Sequence, residues 1–272
     1  MKLENRVAIV TGAGQGIGQG IALALAREGA DVVVNVARSV DKGNEVAAQI
    51  RGLGRRSLVV QADVSARNDV ERLVQQVLEH FGRIDILVNN AGIFIASPLE
   101  SVKEDDWDRI MAVNAKGVFL CSQAVGRHMI ERGTGGAIVN VASIAGVAPE
   151  IGAGAYSASK AAVLALTRQF AVEWARYGIR VNAVSPGPIL TDLQRAAYPT
   201  EELLAARNRA VPMMRHGSPE EMGRVVAFLA SEDSSYITGE AIAADGGSLC
   251  SMYYLVHQLA DMARSRPMEA AQ

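Results

Sequence analysis

The chain is poor in the residues that tie a protein to several large function classes. Only two cysteines, Cys121 and Cys250, occur in 272 residues. Without a CxxC pair or disulfide spacing, a reducing, cytoplasmic setting is expected. The four histidines, His80, His128, His216 and His257, are scattered without metal-ligand spacing, so no metal is expected. Nor is there a basic excess: 27 Lys and Arg stand against 29 Asp and Glu, for a net charge of -2. That leaves no field to hold nucleic acid or an anionic membrane. No apolar run reaches the about 18 residues of a membrane span. The opening MKLENRVAIVTG becomes a strand pattern too early to contain a signal peptide. Chemistry on a small molecule is what these absences leave.

What the chain has is core. Apolar residues make up 49% of it, ample for one large domain. Short β-branched runs recur at residues 7–10, 32–34, 58–60, 84–88, 137–141, 179–184 and 241–244. Helical periodicity lies between them, as at 69–81, where Val70, Leu73, Val74, Val77 and Leu78 share a face. Strands that are continuously apolar, rather than alternating, are buried on both sides. The pattern therefore predicts one α/β domain, a doubly wound parallel sheet of about seven strands flanked by helices. Residues 188–216 depart from this rhythm as a long connection that reads as a cover over a ligand, with Ile189, Leu190, Leu193, Tyr198, Leu203, Leu204, Met213 and Met214 as its apolar residues or, more plainly, as surface helices. A tail, 248–272, follows the domain of 1–247. Met252, Leu255, Leu259 and Met262 share a helical face there, which predicts a helix packed on the core or on another subunit, with a disordered end.

The first strand runs into TGAGQGIG, residues 11–18, and then into a helix expected from about Gln19. Glycines let the backbone turn tightly against a pyrophosphate, and the N–H groups at the helix start face its charge. Farther along, Tyr156 and Lys160 stand four apart on a helical stretch over 155–176, so both share a face. An ammonium beside a phenol favours the phenolate and draws its pKa down from about 10, which makes a general acid/base out of a weak one.

The spacing of Gly12, Gly16 and Gly18 is GxxxGxG, and here the chain resembles the short-chain dehydrogenase/reductase family, in order and over nearly all of its length to about Gly247. Asn89-Asn90-Ala91-Gly92, Asn114 in a long helix, Ser143, YSASK at 156–160 and Pro186-Gly187 follow in the family's sequence. The resemblance implies hydride exchange between a nicotinamide cofactor and a secondary alcohol or ketone. It casts Tyr156 as the proton donor and acceptor, Ser143 as the hydrogen-bond partner of the substrate oxygen, Lys160 on the ribose hydroxyls, and Asn114 as holder of a water. For the cofactor it implies Gly12, Gly14, Gln15, Gly16, Ile17 and Gly18 at the phosphates, and Asp63 and Val64 at the adenine, unless Asp63 caps the next helix. Asn90 with Ala91 and Gly92 would lie along the ribose, and Pro186, Gly187, Ile189 and Thr191 at the carboxamide and phosphates.

The family's substrates include carrier-protein thioesters, sugars and polyols, and cyclic ketones. Where many acyl-carrier-protein ketoreductases have an arginine, FAVEWA has Val172, which weighs against docking a carrier protein although Arg168, Arg176 and Arg180 are near. Glu150, Ile151 and Ala153 are expected on the other side of the substrate. A sugar, polyol or small or cyclic ketone is favoured, with a 3-oxoacyl-acyl-carrier-protein reductase as the alternative and a catalytically weak dinucleotide-binding scaffold as the reading from another class. The second strand ends in Asn35-Val36-Ala37-Arg38-Ser39. The acid with which many relatives bind NAD falls at Val36, and Arg38, helped by Asn35 and Ser39, is placed to hold a 2′-phosphate. NADP(H) is therefore expected over NAD(H), even though Gln15 lacks the charge many NADP-using relatives carry in the glycine loop. A homotetramer or homodimer is expected through the apolar faces near Met111 to Met129 and Ala161 to Trp174.

Overall fold

The computed structural model describes residues 1–251; the predicted tail helix lies beyond them. Seven strands form one parallel sheet: β1 (Val7–Val10), β2 (Asp31–Val36), β3 (Ser57–Gln61), β4 (Ile86–Asn89), β5 (Gly136–Val141), β6 (Ile179–Pro186) and β7 (Ala241–Ala244). Their order is β3-β2-β1-β4-β5-β6-β7. The chain winds outward from β1 to β3 and then returns to the other side of β1, so the strand order reverses between β1 and β4. Crevices at the carboxyl ends of strands open at such a reversal.

The helices are α1 (Gly16–Arg27), α2 (Val40–Gly52), α3 (Arg67–Phe81), α4 (Glu104–Met111), α5 (Gly117–Arg132), α6 (Tyr156–Trp174), α7 (Asp192–Ala197), α8 (Glu201–Arg209) and α9 (Pro219–Ala230). Pleating divides the core between them. Ala8 and Val10 of β1 enter the core shared with α1, α2 and α9, whereas Val7 and Ile9 enter the one shared with α3, α5 and α6. Burial on both faces holds for β1, β2 and β4 but not for the two edge strands, where Gln61 of β3 and Ala241 and Ala243 of β7 are exposed. The long connection over 188–216 contains α7 and α8, and α1 begins three residues earlier than its apolar periodicity suggests, at Gly16. Among the described residues, no helix is long and apolar enough to cross a membrane.

Two buried carboxylates hold the amino end of the sheet, Asp31 at the start of β2, bonded to Arg56, and Asp85 just before β4. Asp85 accepts from the Val7 N–H at 2.9 Å and from Arg83 at 2.8 and 2.7 Å, with Arg132 at 3.0 Å. Burial alone raises its pKa, but the hydrogen bonds from Arg83 and Val7 and the charges of Arg132 and Arg83 outweigh that, leaving it lowered. A depressed carboxylate stabilises the fold above its unfolded pKa, and the contribution disappears as pH falls through the folded value. Asp85→Asn is expected to cost about 1–3 kcal/mol at pH 7, because the buried position loses the charge that the partly exposed Arg83 and Arg132 neutralise. In urea denaturation the gap to the parent should narrow once the pH drops below about 4.

Candidate active site

The glycine loop bends at Gly12 and Gly16, whose φ of 62° and 58° lie in the left-handed region that favours glycine. A Cβ on Gly12 would stand 2.9 Å from the Ala91 Cα, and one on Gly18 would strike the Asn90 amide. The α1 N-cap, Gln15, makes no side-chain cap bond, and the first turn holds no acid. Open N–H groups and the positive end of the helix therefore face the carboxyl edge of the sheet, as a dinucleotide pyrophosphate requires. The loop fits such a cofactor.

Two asparagines brace this loop. Asn90 donates through its amide to the Thr11 and Gly12 carbonyls at 2.9 and 3.1 Å. It thus holds the loop instead of offering that NH2 to a ribose. Asn35, counted above as a donor to a 2′-phosphate, is buried and gives both amide protons to the Val60 and Ala62 carbonyls at 3.2 and 3.0 Å. It ties the ends of β2 and β3 together, and no proton remains for a ligand. Val36 is buried beside it, while Arg38 and Ser39 are exposed and Ser39 leaves its hydroxyl uncommitted at the α2 N-cap. Asp63 does not cap α3, whose N-cap is Ala66. Its Oδ1 takes the Ser65 N–H and hydroxyl instead, with Val64 buried next to it.

Across the β1–β4 gap, Ser143 follows β5 and Tyr156 opens α6. Their loop is pressed onto α6 at Gly146, where a Cβ would lie 2.8 Å from the Lys160 carbonyl carbon. Lys160 is buried, and its Nζ donates to the Val141 carbonyl at 2.8 Å and lies 5.6 Å from the centre of the Tyr156 ring. Phe94 meets that ring edge to face at 5.1 Å. No sequence argument singled out Phe94, although it lies two residues past Asn89-Asn90-Ala91-Gly92. The Tyr156 pKa is raised, not lowered as expected: burial disfavours the phenolate, the hydrogen bond with Ser143 opposes that, and the Glu150 charge adds to the rise. The same desolvation pushes Lys160 down to about 8. In a dry site each charged form is penalised before the pair can help itself.

Asn114 sits in a π-helical turn, Ala112–Lys116, between α4 and α5, instead of within one continuous α-helix. Its Oδ1 accepts from the Ile93 N–H at 2.8 Å, and its Nδ2 donates to the Ile93 carbonyl at 2.9 Å and to Ser159 at 3.0 Å. Its amide protons are in use, so a water here can only donate to Asn114. Ser159 in turn donates to the Tyr156 carbonyl at 2.7 Å, joining the π-turn to the start of α6. Gly92 leaves room beside both groups, since a Cβ would be 3.4 Å from Asn114 Oδ1 and 3.6 Å from Lys160 Nζ.

The segment after Pro186-Gly187 closes on the glycine loop, with the Thr191 methyl 3.3 Å from where a Gly16 Cβ would be. Ile189 is buried and pairs with Gly217. The expected apolar cover divides: Leu204 is buried, but Leu203, Met213 and Met214 are exposed. Beyond α8, His216 Nδ1 lies 2.5 Å from Asn208 Oδ1. Arg207 on α8 pairs at 3.7 Å with Glu150, the residue whose charge acts on Tyr156. Ile151 beside it is fully exposed and Ala153 is buried.

A family model described as enoyl-(acyl carrier protein) reductase matches residues 12–248. Among curated relatives, a 3-oxoacyl-[acyl-carrier-protein] reductase of Staphylococcus epidermidis is 42% identical over 89% of this chain and 98% of its own length. The 2-dehydro-3-deoxy-D-gluconate 5-dehydrogenase of Escherichia coli is 40% identical over 91% of this chain and 96% of its own. The crystal structure of a short-chain type dehydrogenase/reductase from Mycobacterium marinum superposes with a TM-score of 0.86 at 39% identity, covering 92% of this chain and 97% of that one.

The buried ammonium of Lys160 has a measurable consequence. A lysine whose folded pKa lies below its unfolded value of 10.5 destabilises the fold fully below about 8, and the penalty is relieved as pH rises from there toward 10.5. Lys160→Met is expected to stabilise the cofactor-free protein by about 1–2 kcal/mol at pH 7. Thermal unfolding of both proteins from pH 7 to pH 10 checks this, with the difference shrinking as pH rises.

Proposed function

Because this chain belongs to the short-chain dehydrogenase/reductase family and is an NAD(P)-dependent oxidoreductase, we propose that it interconverts a secondary alcohol and a ketone, on a sugar, polyol or small or cyclic ketone, with NADP(H) favoured over NAD(H). One observation carries this: Ser143, Tyr156 and Lys160 meet at the carboxyl edge of β5, across the strand reversal from an open glycine loop. A bound nicotinamide supplies or takes the hydride. Tyr156 gives its phenolic proton to the substrate oxygen or receives it back, and Ser143 hydrogen-bonds that oxygen as its charge develops. Lys160 would bind the ribose hydroxyls, and the oxygens of Asn114 would hold the water that returns the proton. Gly12, Gly14, Gly16, Ile17 and Gly18 would receive the phosphates, Asp63 and Val64 the adenine, and Ile189 and Thr191 the nicotinamide end. The catalytic unit spans residues 1–247.

The Glu150–Arg207 pair favours a hydroxylated substrate, because it sets an acceptor and a donor close enough for the Glu150 charge to act on Tyr156. Val172, exposed on α6, leaves the carrier-protein reading second; that reading draws support from the 42% identity to a reductase of that name. A panel of sugar-derived ketones, cyclic ketones and 3-oxoacyl thioesters, followed by loss of NADPH absorbance, separates the two. Cofactor binding without turnover of anything would favour the scaffold. Tyr156→Phe is expected to lower kcat by about 10²- to 10⁴-fold while NADPH binding holds.

For the cofactor, Arg38 is exposed and has no side-chain partner among the described residues. Arg38→Ala is expected to weaken NADPH about tenfold and NADH little. Titration of the two cofactors decides, equal losses counting against the clamp. Val36→Asp is a poorer test than the open end of β2 suggested, since Val36 is buried and the acid would also cost stability. Copies of the chain would associate through α5 and α6 as a homotetramer or homodimer, and a monomeric mass in solution scattering at micromolar concentration would remove that.

A further inference from the structure

The glycine loop ends in an uncharged residue, Gln15, where a 2′-phosphate reader would be useful, yet a cation reaches it from another element. Lys42, in the first turn of α2, donates from Nζ to Gln15 Oε1 at 2.6 Å. Lys42 is exposed and makes no ion pair among the described residues, not even with Glu45 three residues on along α2. An ammonium has three donors, and Gln15 takes one.

Two glycines bring the lysine there. Gly14 is not a glycine for its backbone angle, as its φ is not in the left-handed region. A Cβ on it would stand 3.0 Å from the Val36 Cγ1, 3.5 Å from the Gly43 nitrogen and 3.5 Å from the Lys42 Cβ. Gly43 faces it from α2, where a Cβ would meet Val59 at 3.0 Å and Val36 at 3.2 Å. The start of α2 therefore lies directly on the glycine loop, with buried, uncharged Val36 beneath and the Lys42 stem alongside. Asp41 is one residue away, about 100° around the helix, and does not share that face. Arg38 and Lys42 flank the Ser39 turn at the end of β2, where a dinucleotide fold presents the adenosine ribose.

Resting on the NADP(H) preference proposed above, we infer that Lys42 is a second specificity-determining residue, which supplies the 2′-phosphate of NADP(H) with the cation the glycine loop lacks. Gln15 serves as the perch that holds the ammonium at the loop. Two positive groups from either side of one turn then read the phosphate, and neither is in the loop itself.

The test is equilibrium binding, read by ligand fluorescence and calorimetry, of NADPH, NADH, 2′,5′-ADP and 5′-ADP to the full-length parent, Lys42→Met and Lys42→Arg. Methionine keeps most of the stem on Gly14 and removes the charge. Lys42→Met should weaken NADPH and 2′,5′-ADP about three- to thirtyfold, leave NADH and 5′-ADP within about twofold, and be rescued by arginine. Unchanged binding of all four ligands, or an equal loss for the phosphorylated and unphosphorylated members of each pair, overturns the assignment. If the parent itself binds NADH as tightly as NADPH, the cofactor preference falls and the role of Lys42 falls with it. If the parent prefers NADPH and Lys42→Met keeps that preference, only Lys42 is refuted.

Discussion

The clasp between Thr11 and Asn90 holds the candidate site together. The Thr11 hydroxyl accepts the Asn90 and Ala91 N–H groups at 3.0 Å each, while the Asn90 amide returns hydrogen bonds to the Thr11 and Gly12 carbonyls. These bonds extend the pairing of β1 and β4 into the loops that leave their carboxyl ends, at the point where the sheet reverses its winding. Buried main-chain groups at the ends of strands need partners, and side chains supply them here. Asn35 does the same one strand farther out, accepting the Gly12 N–H at 3.4 Å while its amide holds β3. The glycine loop is thus tied on one side to the strand that leads to Gly92 and on the other to the strand that leads to Arg38. The loops after β1, β2 and β4 are thereby braced into one edge.

Rigidity at that edge comes with buried polar groups that the fold alone has no need of. Lys160, Asn114 and Ser159 are all buried. Asn114 and Ser159 are bound into one network with Ile93 and the Tyr156 carbonyl, whereas Lys160 has one hydrogen-bond partner among the described residues, the Val141 carbonyl. A buried ammonium with one neutral acceptor is costly, and the lowered pKa of Lys160 expresses that cost. Asp85, at the other end of the sheet, shows the opposite arrangement: its carboxylate is surrounded by cations and its charge is favoured. One end of the sheet compensates its buried charge, and the other leaves a buried charge largely uncompensated.

Much of this is legible along the chain. The two-residue period of strands and the 3.6-residue period of helices act over a few neighbours, so the doubly wound sheet could be read from apolar runs, and its seven strands stand where those runs lie. The glycine loop was visible for the same reason, since a left-handed φ at Gly12 and Gly16 restricts the residue at that position itself. Side chains that work across elements were not visible. Asn35 looked like a free donor beside Arg38, and only the β3 carbonyls that claim its amide show otherwise. Asn114 looked helical, but its π-turn answers to Ile93 and Ser159, which are 21 and 45 residues away in sequence.

By itself, then, the sequence determined the fold class, the strand and helix succession, the glycine loop and the spacing that puts Tyr156 and Lys160 on one helical face, because each depends on neighbours within a turn or two. Tertiary structure decided which polar groups remain available and what their charges cost. It turned Asn35 and Asn90 into braces, set Lys42 against Gln15, and raised the Tyr156 pKa where a neighbouring ammonium promised to lower it. Desolvation and hydrogen-bond partnership are properties of a packed neighbourhood, and no stretch of chain carries its neighbourhood with it.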